Sequence, residues 1–220
     1  MNSRIALLTL LFLLLAAVSG LAQLYENGPV NGQDMGWTIN FGFSVSDSFH
    51  LNSEAGVTEV EFWAWLIPGD TLTSVEFQIG AAAFGNELLD QTLNVTATNC
   101  FLNHLGYNVC DEFANLNGGG LSIGAGTYWL TLSNASVPSG DPAYWDMNSG
   151  VGCQSPGCPS LAQENTIGTI PSEAFSIHGP CDVRNNSPDC GPPSTPEPTS
   201  LLLFGSGIFG LAAMLRCKLR

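Results

Sequence analysis

Apolar and polar positions alternate with a period of two along much of the chain, the mark of strands that bury one face. Ile39, Phe41, Phe43 and Val45 alternate with Asn40, Gly42 and Ser44. Val60, Phe62, Ala64 and Leu66 alternate with Glu61, Trp63 and Trp65, so this segment is apolar on both faces and predicts a central strand. Pro68-Gly69-Asp70 is a turn signal, after which Val75, Phe77 and Ile79 alternate with Glu76 and Gln78. Leu89, Leu93 and Val95 predict a strand after a Gly85-Asn86 turn, and Tyr128, Leu130 and Leu132 predict another. Phe175 and Ile177 mark the last one. No amphipathic helix and no repeat period stands out. The pattern predicts an all-β fold: about eight to ten antiparallel strands in two packed sheets, a jelly-roll-like β-sandwich.

Both ends break this pattern. Met1-Asn2-Ser3-Arg4 is a short positive stretch, Ile5 to Val18 is an apolar run, and Ser19-Gly20-Leu21-Ala22 supplies small residues before a cut at Gln23. Residues 1–22 therefore read as a secretory signal peptide, with an uncleaved N-terminal anchor as the bland alternative. At the far end, Pro192-Pro193-Ser194-Thr195-Pro196-Glu197-Pro198 is a stiff extended spacer. Leu201 to Leu215 follows, then Arg216, Lys218 and Arg220. At about 1.5 Å per residue the apolar run reaches about 22 Å, and flanking residues bring it near a span. A transmembrane helix is expected, with the basic tail as a membrane stop on the cytoplasmic side and the body outside the inner membrane. The expected organisation is a signal peptide (1–22), an ectodomain (23–191) and a C-terminal sorting segment (192–220).

The sequence from Thr195 through Pro196-Glu197-Pro198 to Leu201-Leu202-Leu203-Phe204-Gly205-Ser206-Gly207, closed by the basic cluster, resembles the PEP-CTERM sorting signal of Gram-negative bacteria. The resemblance implies that the chain is a substrate of exosortase, a membrane cysteine transpeptidase. Processing would occur near Pro196-Glu197-Pro198, followed by release or transfer to the surface. Weaker likenesses in AWLIPGDTLTSVEFQIG, GAGTYWLTLSNA and IPSEAFSIHG resemble the β-sandwich ectodomains that often precede this signal. These imply a fold and little function. A plain tail anchor is the competing interpretation of the C-terminal segment.

Charge narrows the partners. The stretch from Ile5 to Leu215 holds one basic residue, Arg184, and all 19 acids, a formal charge of 1 − 19 = −18. Such a surface repels phosphate backbones, which excludes nucleic acid and disfavours anionic lipid. Six cysteines lie in the body: Cys100, Cys110, Cys153, Cys158, Cys181 and Cys190. An even number in an exported chain points to disulfides in an oxidising compartment. Their clustering favours the local pairs Cys100–Cys110, Cys153–Cys158 and Cys181–Cys190. Cys153 and Cys158 have no histidine nearby, which argues against zinc.

Candidate chemistry is sparse. His50, His104 and His178 are scattered, and no nucleophile elbow or phosphate loop stands in a suitable context. No catalytic residue, metal site or obligatory cofactor is assigned. Glu59 and Glu61 share one strand face and are the best carboxylate pair for a glycan hydrolase, although solvated surface is the default for such pairs. Asp111-Glu112, Asp141, Asp146 and Asp182 are candidates for a structural calcium from loops, without the dense spacing of a calcium loop. Tyr144, Trp145 and Asp146, in a segment bounded by Pro and Gly, are the candidate glycan platform, because sugars stack on exposed aromatics. Trp63 and Trp65 share a face with Glu59 and Glu61. The expectation is a non-catalytic surface or extracellular-matrix protein. The alternatives are a carbohydrate-binding or calcium-dependent adhesin module, with extracellular polysaccharide as partner, and, behind it, the hydrolase.

Overall fold

A computed structural model describes residues 21–150, 155 and 157–180. Among these the chain forms fifteen strands and one short 3-10 turn. The strands are β1 (Leu21–Glu26), β2 (Gly36–Thr38), β3 (Ser44–Leu51), β4 (Ala55–Val57), β5 (Glu59–Leu66), β6 (Ser74–Gly80), β7 (Leu89–Asn94) and β8 (Thr96–Leu102). They continue as β9 (Asn108–Asn115), β10 (Leu121–Ile123), β11 (Gly126–Ser136), β12 (Tyr144–Asp146), β13 (Ala162–Glu164), β14 (Gly168–Ile170) and β15 (Phe175–Pro180). Two antiparallel sheets pack face to face, so the fold is an all-β sandwich. One sheet has the order β14-β13-β3-β11-β6-β7. The other centres on β5. β9 pairs along the whole of one edge of β5, from Glu59↔Asn115 to Leu66↔Asn108. β15 and β12 share the opposite edge, β15 beside Glu59–Phe62 and β12 beside Ala64 and Trp65. β1, β2 and β8 lie outside β15, β12 and β9 respectively.

The core follows from the period-two pattern. Val60, Phe62, Ala64 and Leu66 of β5 and Val75, Phe77 and Ile79 of β6 are all buried between the sheets. Phe62 meets Phe77 edge-on across the sandwich at 5.8 Å and Trp145 at 6.4 Å. Phe175 joins this group 5.6 Å from Trp145, and Tyr25, Phe49 and Phe175 continue it toward the other margin. Burying one such side chain contributes about 1.5–3 kcal/mol, and an aromatic pair of this geometry adds roughly 0.5–1.5 kcal/mol.

One expected strand is displaced. Ile39 to Phe43 is not a strand, and β3 begins only at Ser44. Phe41 (φ 57°) and Gly42 (φ 87°) both take the left-handed region, and the Phe43 N–H donates to the Asn40 carbonyl at 3.0 Å. This tight reversal ends β2 and starts β3, leaving Phe41 63% exposed. The mirror-image turn needs positive φ at both central residues, and Gly42 supplies one without steric cost. The Pro68-Gly69 turn is as expected: the Asp70 N–H donates to the Ile67 carbonyl, and Gly69 has φ 101°.

Strands β4 and β10 form a small two-stranded sheet over the end of the sandwich where β15 finishes. There Gly179 presses so closely on Gly56 that an added Cβ would stand 1.9 Å from the Gly56 carbonyl oxygen. Cys100 and Cys110 form the expected disulfide, which ties β8 to β9. Cys158 is disulfide-bonded as well, while Cys153, Cys181 and Cys190 lie outside the described residues. Most of the expected signal-peptide segment (1–22) and the whole Leu201–Leu215 segment lie outside them too. Leu21 and Ala22 open β1, opposite Pro180 and Gly179, so a cut before Gln23 would leave β1 with its last four residues. Among the described residues no helix is long and apolar enough to cross a membrane.

Candidate functional site on the outer face of the central sheet

Because Phe62 and Ala64 point into the sandwich, Glu59, Glu61, Trp63 and Trp65 point out. Register then decides which side chains join them. Asp111 stands opposite Trp63, Phe113 opposite Glu61, and His178 opposite Glu59. Diagonal neighbours across strands are within reach of long side chains. His178 uses this to place Nε2 at 2.7 Å from Glu61 Oε2. Glu61 also touches Asp111 on its other side, close enough to share a proton. Asp111 in turn accepts from the Thr98 hydroxyl at 3.3 Å and the Asn99 amide at 3.5 Å.

The electrostatics split the two carboxyls. The hydrogen bond with His178 holds Glu61 below the usual carboxylate range. Burial, reinforced by the charge of Glu61, pushes Asp111 up to about 6. Partial burial also raises Glu59. At neutral pH and above both carboxyls are ionised, and on acidification the shared proton settles on Asp111 first.

Aromatic rings extend the face. Trp63, partly exposed, contacts Phe101 at 6.2 Å. Trp65 is buried under Tyr107 at 5.7 Å, and Tyr107 meets Tyr144 at 5.8 Å. The Trp65 indole N–H donates to the Asp146 carboxylate, which also accepts from the Gly32 N–H at 2.9 Å.

The expected Tyr144–Trp145–Asp146 platform is corrected by burial. The segment is a strand, β12, and Trp145 and Asp146 are both 0% exposed. The Trp145 ring packs on Phe62 and Phe175, and its N–H donates to the Ala174 carbonyl at 2.9 Å, so no face is free for a sugar. Tyr144 and Asp146 lie on the outer side of the strand, but Tyr144 alone of the three is partly exposed. The expected loop-calcium residues are also dispersed. Asp111 and Glu112 are adjacent on a strand and so point to opposite faces, with Glu112 opposite Phe62 and directed inward. Asp146 is committed to Gly32 and Trp65, Asp141 lies in a turn at the opposite end of the molecule from β4, and Asp182 is outside the described residues. Among the described residues no three acidic, histidine or cysteine side chains converge as a metal group.

Glu59 and Glu61 do share a face, as their spacing predicts. Glu61 and Asp111 are in contact, however, whereas carboxyls flanking a glycosidic bond stand about 5 Å or more apart. Sequence reasoning missed Asp111, Thr98, Asn99 and His178 as members of this face. Asp111 comes from β9, Thr98 and Asn99 from β8 and His178 from β15, and only register brings these strands together around Glu61.

Pro196, Glu197, Pro198, Arg216, Lys218 and Arg220 lie outside the described residues. Residues 194–216 match the family model described as the PEP-CTERM protein-sorting motif. No curated protein matches the chain. The motif implies processing by exosortase, a membrane protein. The motif implies export and sorting at a membrane.

Proposed function

We propose that the chain is a non-catalytic protein of the cell surface or extracellular matrix of a Gram-negative bacterium. Residues 1–22 direct it across the inner membrane as a cleaved signal peptide. The Leu201–Leu215 segment then holds the precursor there, with Arg216, Lys218 and Arg220 on the cytoplasmic side. That arrangement presents Pro196-Glu197-Pro198 just outside the bilayer, on a proline-stiffened spacer, to the transpeptidase. The match over residues 194–216 carries this interpretation. Mass spectrometry of both chain ends in fractionated cells tests it. The expected surface or extracellular form begins at Gln23 and ends near Pro196-Glu197-Pro198. A chain found solely in the membrane fraction and still ending at Arg220 would overturn it.

A second interpretation, a carbohydrate-binding module, is favoured by the outer face of β5 and not by β12. Trp63 offers a partly exposed ring among Glu61, Asp111, Thr98, Asn99 and His178, which is an aromatic surface with hydroxyl-recognising groups around it. Residues 21–180 hold no Lys or Arg, so a neutral or amine-bearing polysaccharide suits this face and an acidic one does not. In this interpretation Trp63→Ala in the full-length protein weakens retention on the host's extracellular polysaccharide roughly tenfold or more, with little change in Tm. Unaltered retention would reject it.

A further inference from the structure

At the margin where β1 and β15 face β3 and β13, the space between the sheets is polar. Asp47 lies opposite Leu130 on β11, and Leu130 points into the core, so Asp47 does too. Its carboxylate is densely solvated by the protein. One oxygen accepts from the Ser160 hydroxyl. The other accepts from the Glu173 N–H at 2.6 Å, the Asn27 amide at 3.1 Å and the Ser172 hydroxyl at 3.2 Å. Asn27 is itself fixed by the Tyr25 hydroxyl at 2.9 Å and the Ser160 N–H at 3.2 Å.

Glu173 stands beside this carboxylate on very different terms. It is 0% exposed, and neither of its side-chain oxygens has a hydrogen-bond partner. Met147 stands opposite it in an isolated antiparallel bridge. The charges felt by Glu173 are those of Asp47 and Asp146, both negative. No protein cation offsets them, because residues 21–180 contain no Lys or Arg. The three histidines are engaged elsewhere: His178 with Glu61, His50 with Thr127 and His104 with Gln33. Buried polar atoms are almost always partnered, and a buried carboxylate is paired or coordinates a metal. Here two fully buried oxygens lack any partner, beside two acidic groups and with no Lys or Arg in residues 21–180.

We propose that Glu173 and Asp47 bind one hard divalent cation between the sheets, Ca²⁺ by the chemistry of the donors, with Glu173 supplying both free oxygens. The hydroxyls of Ser160 and Ser172, 2.9 Å apart and both on Asp47, are the adjacent further oxygens. Oxygen-only donors exclude the softer metals, and the irregular mixture of carboxylate and hydroxyl suits Ca²⁺ better than octahedral Mg²⁺. Two carboxylates without a third acid place the affinity in the weak range of extracellular sites, about 10⁻⁴ to 10⁻³ M.

The test uses full-length protein purified in detergent and freed of metal with EDTA. Calorimetric titration with CaCl2 at pH 7.5 is expected to show one site in that range. Saturating CaCl2 should raise Tm by about 5 °C, and MgCl2 by less. Glu173→Gln should abolish the Ca²⁺ response while melting, metal-free at pH 7.5, at or above the wild-type temperature. Glu112→Gln, which alters another buried acid on β9, separated from β15 by β5, should keep the response. A wild-type protein indifferent to CaCl2 would overturn the proposal whether or not the variants fold. So would a Ca²⁺ response that survives Glu173→Gln or disappears in Glu112→Gln.

Discussion

Glu112 is a carboxyl set opposite Phe62 on the inward face of β9, fully buried and without a hydrogen-bond partner on either oxygen. Burial, helped by the neighbouring Asp111, pushes it up to about 8. Asp47 and Asp146 are each pushed up to about 7, chiefly by burial. In the unfolded chain all three titrate near pH 4. Between that pH and their folded values the native state binds more protons than the unfolded state, so stability falls as pH rises. The protein in EDTA should therefore be most resistant to urea near pH 5 and progressively weaker toward pH 8, the reverse of acid denaturation. Glu112→Met keeps the volume and removes one contributor. Its unfolding free energy should exceed wild type by about 1–2 kcal/mol at pH 8 and by little at pH 5, because an apolar group of similar size replaces a buried charge. Urea titrations at the two pH values check this. Parallel wild-type and variant profiles would show that folding does not raise Glu112. The inward carboxyls were not legible in the sequence. Glu112 lies in NVCDEFAN, where polar residues occupy both faces, so nothing marks it as buried rather than solvated.

At the scale of elements, legibility tracked apolar alternation. β5, β6, β7, β11 and β15 were readable because their inward residues are large and aliphatic or aromatic and their spacing is two. β8 is exposed along its entire length and so carries no such signal; the Cys100–Cys110 bridge and pairing with β9 hold it in place. The three-residue strands β2, β4, β10, β12, β13 and β14 are shorter than any pattern that could reveal them. This is why fifteen strands replace the expected eight to ten. The Phe41–Val45 expectation failed for a related reason. Alternation is blind to backbone hand, and Gly42 permits the reversal that turns Phe41 outward. The outer-face site follows the same rule: Glu59, Glu61, Trp63 and Trp65 were legible within one strand, whereas Asp111 and His178 required the register of β9 and β15.

The topology gives the whole molecule two unlike ends. Leu21 and Pro180 are paired, so the chain enters and leaves the sandwich at one place, beside Gly56 and the β4–β10 sheet. Glu59, Asn115 and the Asn117–Gly119 turn lie at that end too. Leu66 and the Pro68-Gly69 turn lie at the other, with the Asn103–Gly106 turn and the exposed Phe41. A chain retained at a surface through residues beyond Pro180 therefore holds β4 and β10 toward its attachment, and shows the Phe41 and Gly69 turns to the surroundings. Eight residues at about 3.4 Å separate the two ends of β5 by roughly 25 Å, enough to distinguish them by access. A biotin-acceptor peptide inserted after Gly69 should be labelled on intact cells by an externally added ligase several times faster than one inserted after Gly118. The two insertions should label at equal rates once the protein is extracted. Both turns have positive-φ glycines in open space, so each tolerates the insertion without disturbing a strand. Equal labelling on intact cells would mean that the molecule is not held by its C-terminal side, and that the Gly69 end has no privileged exposure.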